Sequence, residues 1–106
     1  MPVTAIVRFP FPKGRDRAEV AKMFEASAPR YRAAPGLIRK YYLLAEDGAS
    51  AGGAYLWESK AKAAAFYDAA WRASIRERFG ADPEISYFDS PVIVDNALGT
   101  VSAAAE

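Results

Sequence analysis

Six side chains could hold or act on a flat ligand: Tyr41, Tyr55, Trp57, Tyr67, Trp71 and Tyr87. Tyr67 and Trp71 stand four residues apart, so on a helix they share one face, and Trp57 falls just before that helix begins. Large rings gathered where a strand meets a helix can fill a core or wall a pocket, and both readings are open. An indole only donates a hydrogen bond, whereas a phenol donates or accepts, so Trp57 can position a ligand but cannot be its base. Arg8 and Arg39 interrupt strands that are otherwise apolar, and a charge there needs solvent or a partner. Glu58 and Asp89 are the carboxylates nearest the aromatic strand positions; either could pair with an arginine, or serve as a base if burial raises its pKa.

Two residue types are missing. The 106 residues include no histidine and no cysteine. Without imidazole there is no Ser-His triad, no histidine-based metal hydrolysis and no histidine axial ligand for haem. Without thiols there is no disulfide, thiolate metal site or cysteine nucleophile, which suits a reducing compartment. With 14 Lys and Arg against 13 Asp and Glu, no net field draws the chain to nucleic acid or an anionic membrane. The Arg39–Tyr42 run (RKYY) mixes basic and aromatic residues, but no RNP-like motif accompanies it. No apolar run reaches the ~20 residues that span a bilayer, and the N-terminus lacks a secretory pattern, so the expected address is the cytoplasm.

The elements that must position these groups follow from local signals. Val3–Phe9 reads as strand one, apolar on both faces and therefore central, stopped by Pro10 and Pro12. Asp16 with Glu19 marks the start of helix one, whose stripe is Val20, Phe24, Ser27 and Tyr31; Pro29 predicts a kink or a change of helix. Gly36–Glu46 is strand two, with Leu37, Arg39, Tyr41 and Leu43 on one face and Ile38, Lys40, Tyr42 and Leu44 on the other. A polar Asp47-Gly48 turn leads into strand three, Ala51–Glu58, where Gly52-Gly53 predicts a bulge or a close backbone approach. Ser59 caps helix two, expected to run unbroken to Phe79 and close at Gly80. Glu84–Asp95 is strand four, with an edge position or a bend at Pro91. Residues 1–96 form the domain, and 97–106 a mobile tail.

Strand, helix, strand, strand, helix, strand is the order of a ferredoxin-like βαββαβ sandwich, an α+β fold with an antiparallel sheet in the order 4-1-3-2. Helices cover one sheet face only. Strands two, three and four keep large residues on both parities, so the other face calls for a second copy, giving a homodimer packed sheet to sheet as a dimeric α+β barrel.

The segments PGLIRKYYL (Pro35–Leu43), GGAYLWES (Gly52–Ser59), AAFYDAAWRASIRERFG (Ala64–Gly80) and EISYFDSPVIVDN (Glu84–Asn96) resemble the YdhR-type monooxygenase family of the dimeric α/β-barrel (ABM-like) superfamily. The resemblance covers roughly residues 3–96 and implies oxygen insertion into a small aromatic, quinol-like or polyketide-like substrate with no metal, haem or flavin. Such chemistry needs a substrate that can itself give electrons to oxygen, held as an anion in a dry pocket beside a proton acceptor and a cation. On that reading Tyr41, Tyr55, Trp57, Tyr67, Trp71 and Tyr87 contact substrate between helix two and the sheet. Trp57, Tyr67 and Arg39 are then the candidates for catalysis, and no cofactor-binding or metal-binding residue is expected. The alternative is a non-catalytic small-molecule-binding or stress-related homodimer of the same fold.

Overall fold

The structure is a computed structural model that describes residues 1–103. Its strands and helices are β1 (Val3–Pro10), α1 (Arg17–Arg32), β2 (Leu37–Leu44), β3 (Ser50–Trp57), α2 (Lys60–Phe66), α3 (Ala69–Phe79), β4 (Glu84–Asp89), β5 (Val92–Asp95) and β6 (Thr100–Ala103). The main sheet has the order β2-β3-β1-β4 with antiparallel neighbours, as the element order predicts. Strand β1 is central, but it alternates: Val3, Ala5, Val7 and Phe9 are buried under the helices, while Thr4 and Ile6 are half-buried and Arg8 is exposed on the other face. Helices cover only one side, so the expectation of burial on both faces is corrected to one.

Caps set the helix boundaries. The Asp16 carboxylate accepts the Ala18 N–H at 3.2 Å, satisfying one of the donors left free at the start of α1. The helix then runs through Pro29 to Arg32 without changing register into a second helix. Pro29 lies on the exposed side, near the C-terminal end, where losing one backbone bond is tolerated.

The single helix expected from Ser59 to Phe79 is two. Ser59 caps α2, the backbone leaves helical geometry at Tyr67 (φ −81°, ψ 53°), and the Asp68 carboxylate accepts the Trp71 N–H at 2.8 Å to start α3. An aspartate competing for free backbone donors outweighs the continuous apolar stripe here. Gly80, at φ 82°, ends α3 in the left-handed conformation that glycine adopts most easily.

Strand β2 carries a bulge between Leu37 and Arg39, so Ile38 is an extra residue opposite β3. Its inward set becomes Leu37, Lys40, Tyr42 and Leu44, and Leu37 changes sides relative to the simple alternation. The paired glycines of β3 are in regular register, not bulged. At Gly52 a Cβ would stand 1.8 Å from the Val7 carbonyl oxygen, so the close approach is backbone on backbone. At Gly53 a Cβ would meet Lys40 Cε at 3.0 Å and the Tyr55 ring at 2.8 Å, so its absence makes room for those two side chains.

The long strand four is also two strands. The chain bends at Ser90-Pro91, where the Ser90 and Thr4 hydroxyls lie 2.6 Å apart. Strand β5 then departs from the sheet edge and crosses the open face, pinned there by Arg39 to Asp95 at 2.8 Å. Residues 97–106, read from sequence as a tail, include β6, which pairs with β5 from Val92↔Ala103 to Asp95↔Thr100; residues 104–106 lie outside the described part. Among the described residues no helix is long and apolar enough to cross a membrane.

Candidate functional site

Between the sheet and its helices the rings form one continuous cluster. Phe9 stacks on Phe79 at 4.3 Å, Tyr55 lies near-parallel to Trp57 at 6.2 Å, and Tyr67 meets both Tyr55 and Trp57 edge-on at 5.4 and 5.6 Å. Within the cluster the polar tips satisfy one another. The Trp57 indole donates to the Tyr67 hydroxyl at 3.0 Å and the Trp71 indole to the Tyr31 hydroxyl at 3.2 Å. Trp57 and Trp71 are 0% and 1% exposed, and Tyr67 is 2% exposed. These three fill the space between the sheet and α2–α3, where the sequence left a core and a pocket both open. Burial raises the Tyr67 and Tyr55 phenols well above the ordinary range, so both stay protonated.

Of the clefts at the surface, one lies on the other flank, where α1 passes over β2. A cleft of about 330 Å³ is lined by Ala28, Tyr31, Arg32, Leu37, Ile38, Arg39, Lys40 and Tyr42. Its volume is that of a small-molecule site. Adjoining it is a second cavity of about 30 Å³, bordered by Phe24, Ser27, Tyr31, Lys40, Tyr42, Tyr55, Ile75 and Arg78 among others. Tyr31, Lys40 and Tyr42 line both, so they stand where the cleft narrows into the core.

Lys40 is the centre of this constriction. Its Nζ lies 3.3 Å from the Tyr31 ring centroid, 3.6 Å from that of Tyr42 and 4.7 Å from that of Tyr55. Tyr42 is held in turn by Phe24, stacked at 5.0 Å, and by Ser27, whose hydroxyl is 2.6 Å from its own. Burial first, and then the charges of Arg30 and Arg78, lower the Lys40 amine to about 7. The facing rings act in the opposite direction, because their π-faces attract an ammonium. The amine therefore changes protonation near neutral pH, inside an aromatic box.

The remaining residues singled out from sequence lie elsewhere. Tyr41, 59% exposed, and Arg39, paired with Asp95, are on the open face of the sheet. Tyr87 is half-buried on β4 beside Tyr67, with the Lys60 amine 5.1 Å from its ring centroid. Arg8, Glu58 and Asp89 are exposed, so neither carboxylate has the enclosure that would make it a base. Of the expected contact residues, Tyr55 reaches both the buried cluster and the inner cavity. Sequence reasoning missed Lys40, Tyr31 and Tyr42 as a set. The signal was present in two halves, Ser27 and Tyr31 on the helix stripe and Lys40 and Tyr42 on one strand parity, with nothing local to join them. Among the described residues no group of three or more Asp or Glu is placed to hold a metal ion.

Three solved structures share this architecture. A monooxygenase from the gene ActVA-Orf6 of Streptomyces coelicolor, in complex with the ligand Nanaomycin D, superposes with a TM-score of 0.62 at 19% identity, covering 83% of this chain and 86% of that one. The NE2512 protein of unknown function from Nitrosomonas europaea gives 0.62 at 18%, covering 82% and 86%. Rv0793 from Mycobacterium tuberculosis gives 0.58 at 17%, covering 85% and 95%. At these identities the likeness establishes the fold. A search of curated proteins returned no match. Residues 6–87, most of the chain, match the family described as "Putative mono-oxygenase ydhR", and the chain belongs to that family.

Proposed function

We propose that the protein is a cofactor-independent monooxygenase of small aromatic, quinol-like or polyketide-like compounds, acting as a cytoplasmic homodimer, with its substrate in the cleft between α1 and β2. Family membership supports the monooxygenase class. The observation that carries the location is a cleft of about 330 Å³ bordered by Tyr31 and Tyr42 and ending at Lys40, whose amine lies against the faces of Tyr31, Tyr42 and Tyr55. The cleft has the volume for a small ring system, and the protonated Tyr42 hydroxyl offers a hydrogen bond to an oxygen that gains negative charge. The substrate supplies all the electrons. A ring carbon loses its hydrogen and takes one oxygen atom as a carbonyl, the phenolic O–H of the substrate loses its hydrogen, and the second oxygen atom leaves as water. Tyr67, Trp57 and Trp71 brace the Tyr31 and Tyr55 walls from behind through the contacts described above.

The homodimer is supported by the open face. Tyr41, Leu43 and Phe88 are 59%, 40% and 56% exposed there, and the β5–β6 hairpin adds Val92, Val94 and Val101 at 58–69%. A second copy packed sheet to sheet would cover this apolar surface. The lack of cysteine suits a reducing compartment.

Oxygen uptake by metal-stripped protein incubated with a panel of quinols tests the proposal. Uptake above the buffer rate, lost in Tyr42→Ala, is the expected result. A rate equal to buffer for every quinol would favour the non-catalytic binding dimer.

A further inference from the structure

We infer that the cleft takes its ligand as an anion, the ionised carboxylate or acidic hydroxyl of a planar aromatic acid pairing with the Lys40 ammonium, with the Arg78 guanidinium as the second cation. This deepens the reading of the same site by naming the charge its substrate carries. Lys40 is enclosed by three elements besides its own strand. From α1 it is faced by Tyr31 and by the charge of Arg30, from α3 by Arg78, from β3 by Tyr55 and from its own strand by Tyr42.

All of these are rings or cations. Neither the 330 Å³ cleft nor the 30 Å³ cavity has a carboxylate in its lining, whereas cations line both. The ion pairs among the described residues are Arg39–Asp95 and Arg76–Asp82, and neither involves Lys40. Ring faces stabilise an ammonium but do not neutralise it, so a largely buried positive charge is left without a counter-ion. Arg39 borders the cleft but does not supply the missing balance, because it is itself a cation and is paired with Asp95. A ligand oxyanion entering through the cleft would be the first negative charge to reach Lys40, with its aromatic body left in the wider cleft beside Leu37, Tyr31 and Tyr42. Gly53 leaves the space for the lysine stem, so the amine is delivered to the narrowing without displacing Tyr55.

Pairing also fixes a pH signature. Above about pH 7 the empty site holds a neutral amine, and an arriving anion restores the ammonium, so binding takes up a proton.

Anaerobic titration calorimetry tests this, with 2-naphthoate as the anion and 2-naphthalenemethanol as its neutral counterpart, in buffers of different protonation enthalpy from pH 6 to 9. The expected result is naphthoate binding at least about tenfold tighter than the alcohol at pH 6. At pH 8 binding should take up close to one proton per site, and affinity should fall about tenfold per unit above pH 7. Lys40→Met should abolish the preference and the proton uptake while still binding the alcohol. Lys40→Arg should keep the preference with no proton uptake. Equal affinity for the two probes in wild type, undiminished naphthoate binding by Lys40→Met, proton release, or no naphthoate binding at all would each overturn the inference. Oxygen takes no part in this assay. Quinol-dependent oxygen uptake together with indifference to ligand charge would therefore sink the anion site and leave the monooxygenase reading standing.

Discussion

Replacing Lys40 with Met should change how stability depends on pH, in a direction and size the fold dictates. The amine falls from 10.5 in the unfolded chain to about 7 when enclosed by Tyr31, Tyr42 and Tyr55 near Arg30 and Arg78. Between those values the unfolded chain binds the proton that the folded one has released, so the contribution of Lys40 to stability rises with pH through that window. Integrated from pH 6 to pH 9, the gain is at most about 2.7 kcal/mol, and water at the cleft mouth brings the expectation to about 1–2 kcal/mol. Methionine keeps the stem volume and contacts the same rings without a charge. Lys40→Met should therefore be most favoured relative to wild type at pH 6, and its advantage should shrink steadily toward pH 9. Urea unfolding of both proteins at four pH values, with m held in common, measures the difference directly. A difference that stays flat across the range would refute the reasoning, because it would mean that the amine is as well solvated in the fold as outside it.

Three further substitutions probe the frame of the site. Gly52→Ala forces a Cβ to within 1.8 Å of the Val7 carbonyl oxygen, where only backbone can yield, so a loss of at least about 3 kcal/mol in urea unfolding is expected. Trp57→Phe removes the donor to the buried Tyr67 hydroxyl and leaves a small void, costing about 2–4 kcal/mol, with near-ultraviolet circular dichroism reporting the loosened rings. Phe88→Asp places a charge on the open apolar face, and light scattering should show twice the chain mass for wild type and the single mass for the variant. A wild-type monomer at micromolar concentration would remove the sheet-to-sheet dimer.

The topology was legible because its signals are local. Asp16, Ser59 and Gly80 mark helix ends by chemistry that acts within a few residues, and Pro91 marks the bend by the bond it cannot make. Two boundaries were misread where one local signal hid another. The apolar stripe through Tyr67, Trp71 and Ile75 suggested one helix, yet Asp68 is an N-cap of the same kind as Asp16. Pro29 suggested a kink or a change of helix, and no second helix starts there, because at an exposed position near the helix end the proline removes little.

The site was harder for a different reason. Its box is assembled from residues 31, 42 and 55 around residue 40, on three elements, and strand two has mixed residues on both parities. Alternation shows that Arg39 and Lys40 point opposite ways, but not which one faces the helices. The bulge at Ile38, which brings Leu37 in beside Lys40, has no sequence signal of the kind that glycine or proline would give. Arg39 was the conspicuous charge and proved to be an anchor for β5; Lys40, one residue on, is the one enclosed by rings.

We propose that oxygen is inserted into an aromatic substrate in the cleft between α1 and β2, with the substrate as the only electron source. The direct measurement is isotopic: metal-stripped protein turning over a quinol under ¹⁸O-labelled dioxygen, with the product weighed by mass spectrometry. One labelled oxygen atom per product molecule from wild type, and product no greater than the protein-free background from Tyr42→Ala, is the predicted result. Product without label, or labelled product formed equally well by the cleft variant, would contradict it.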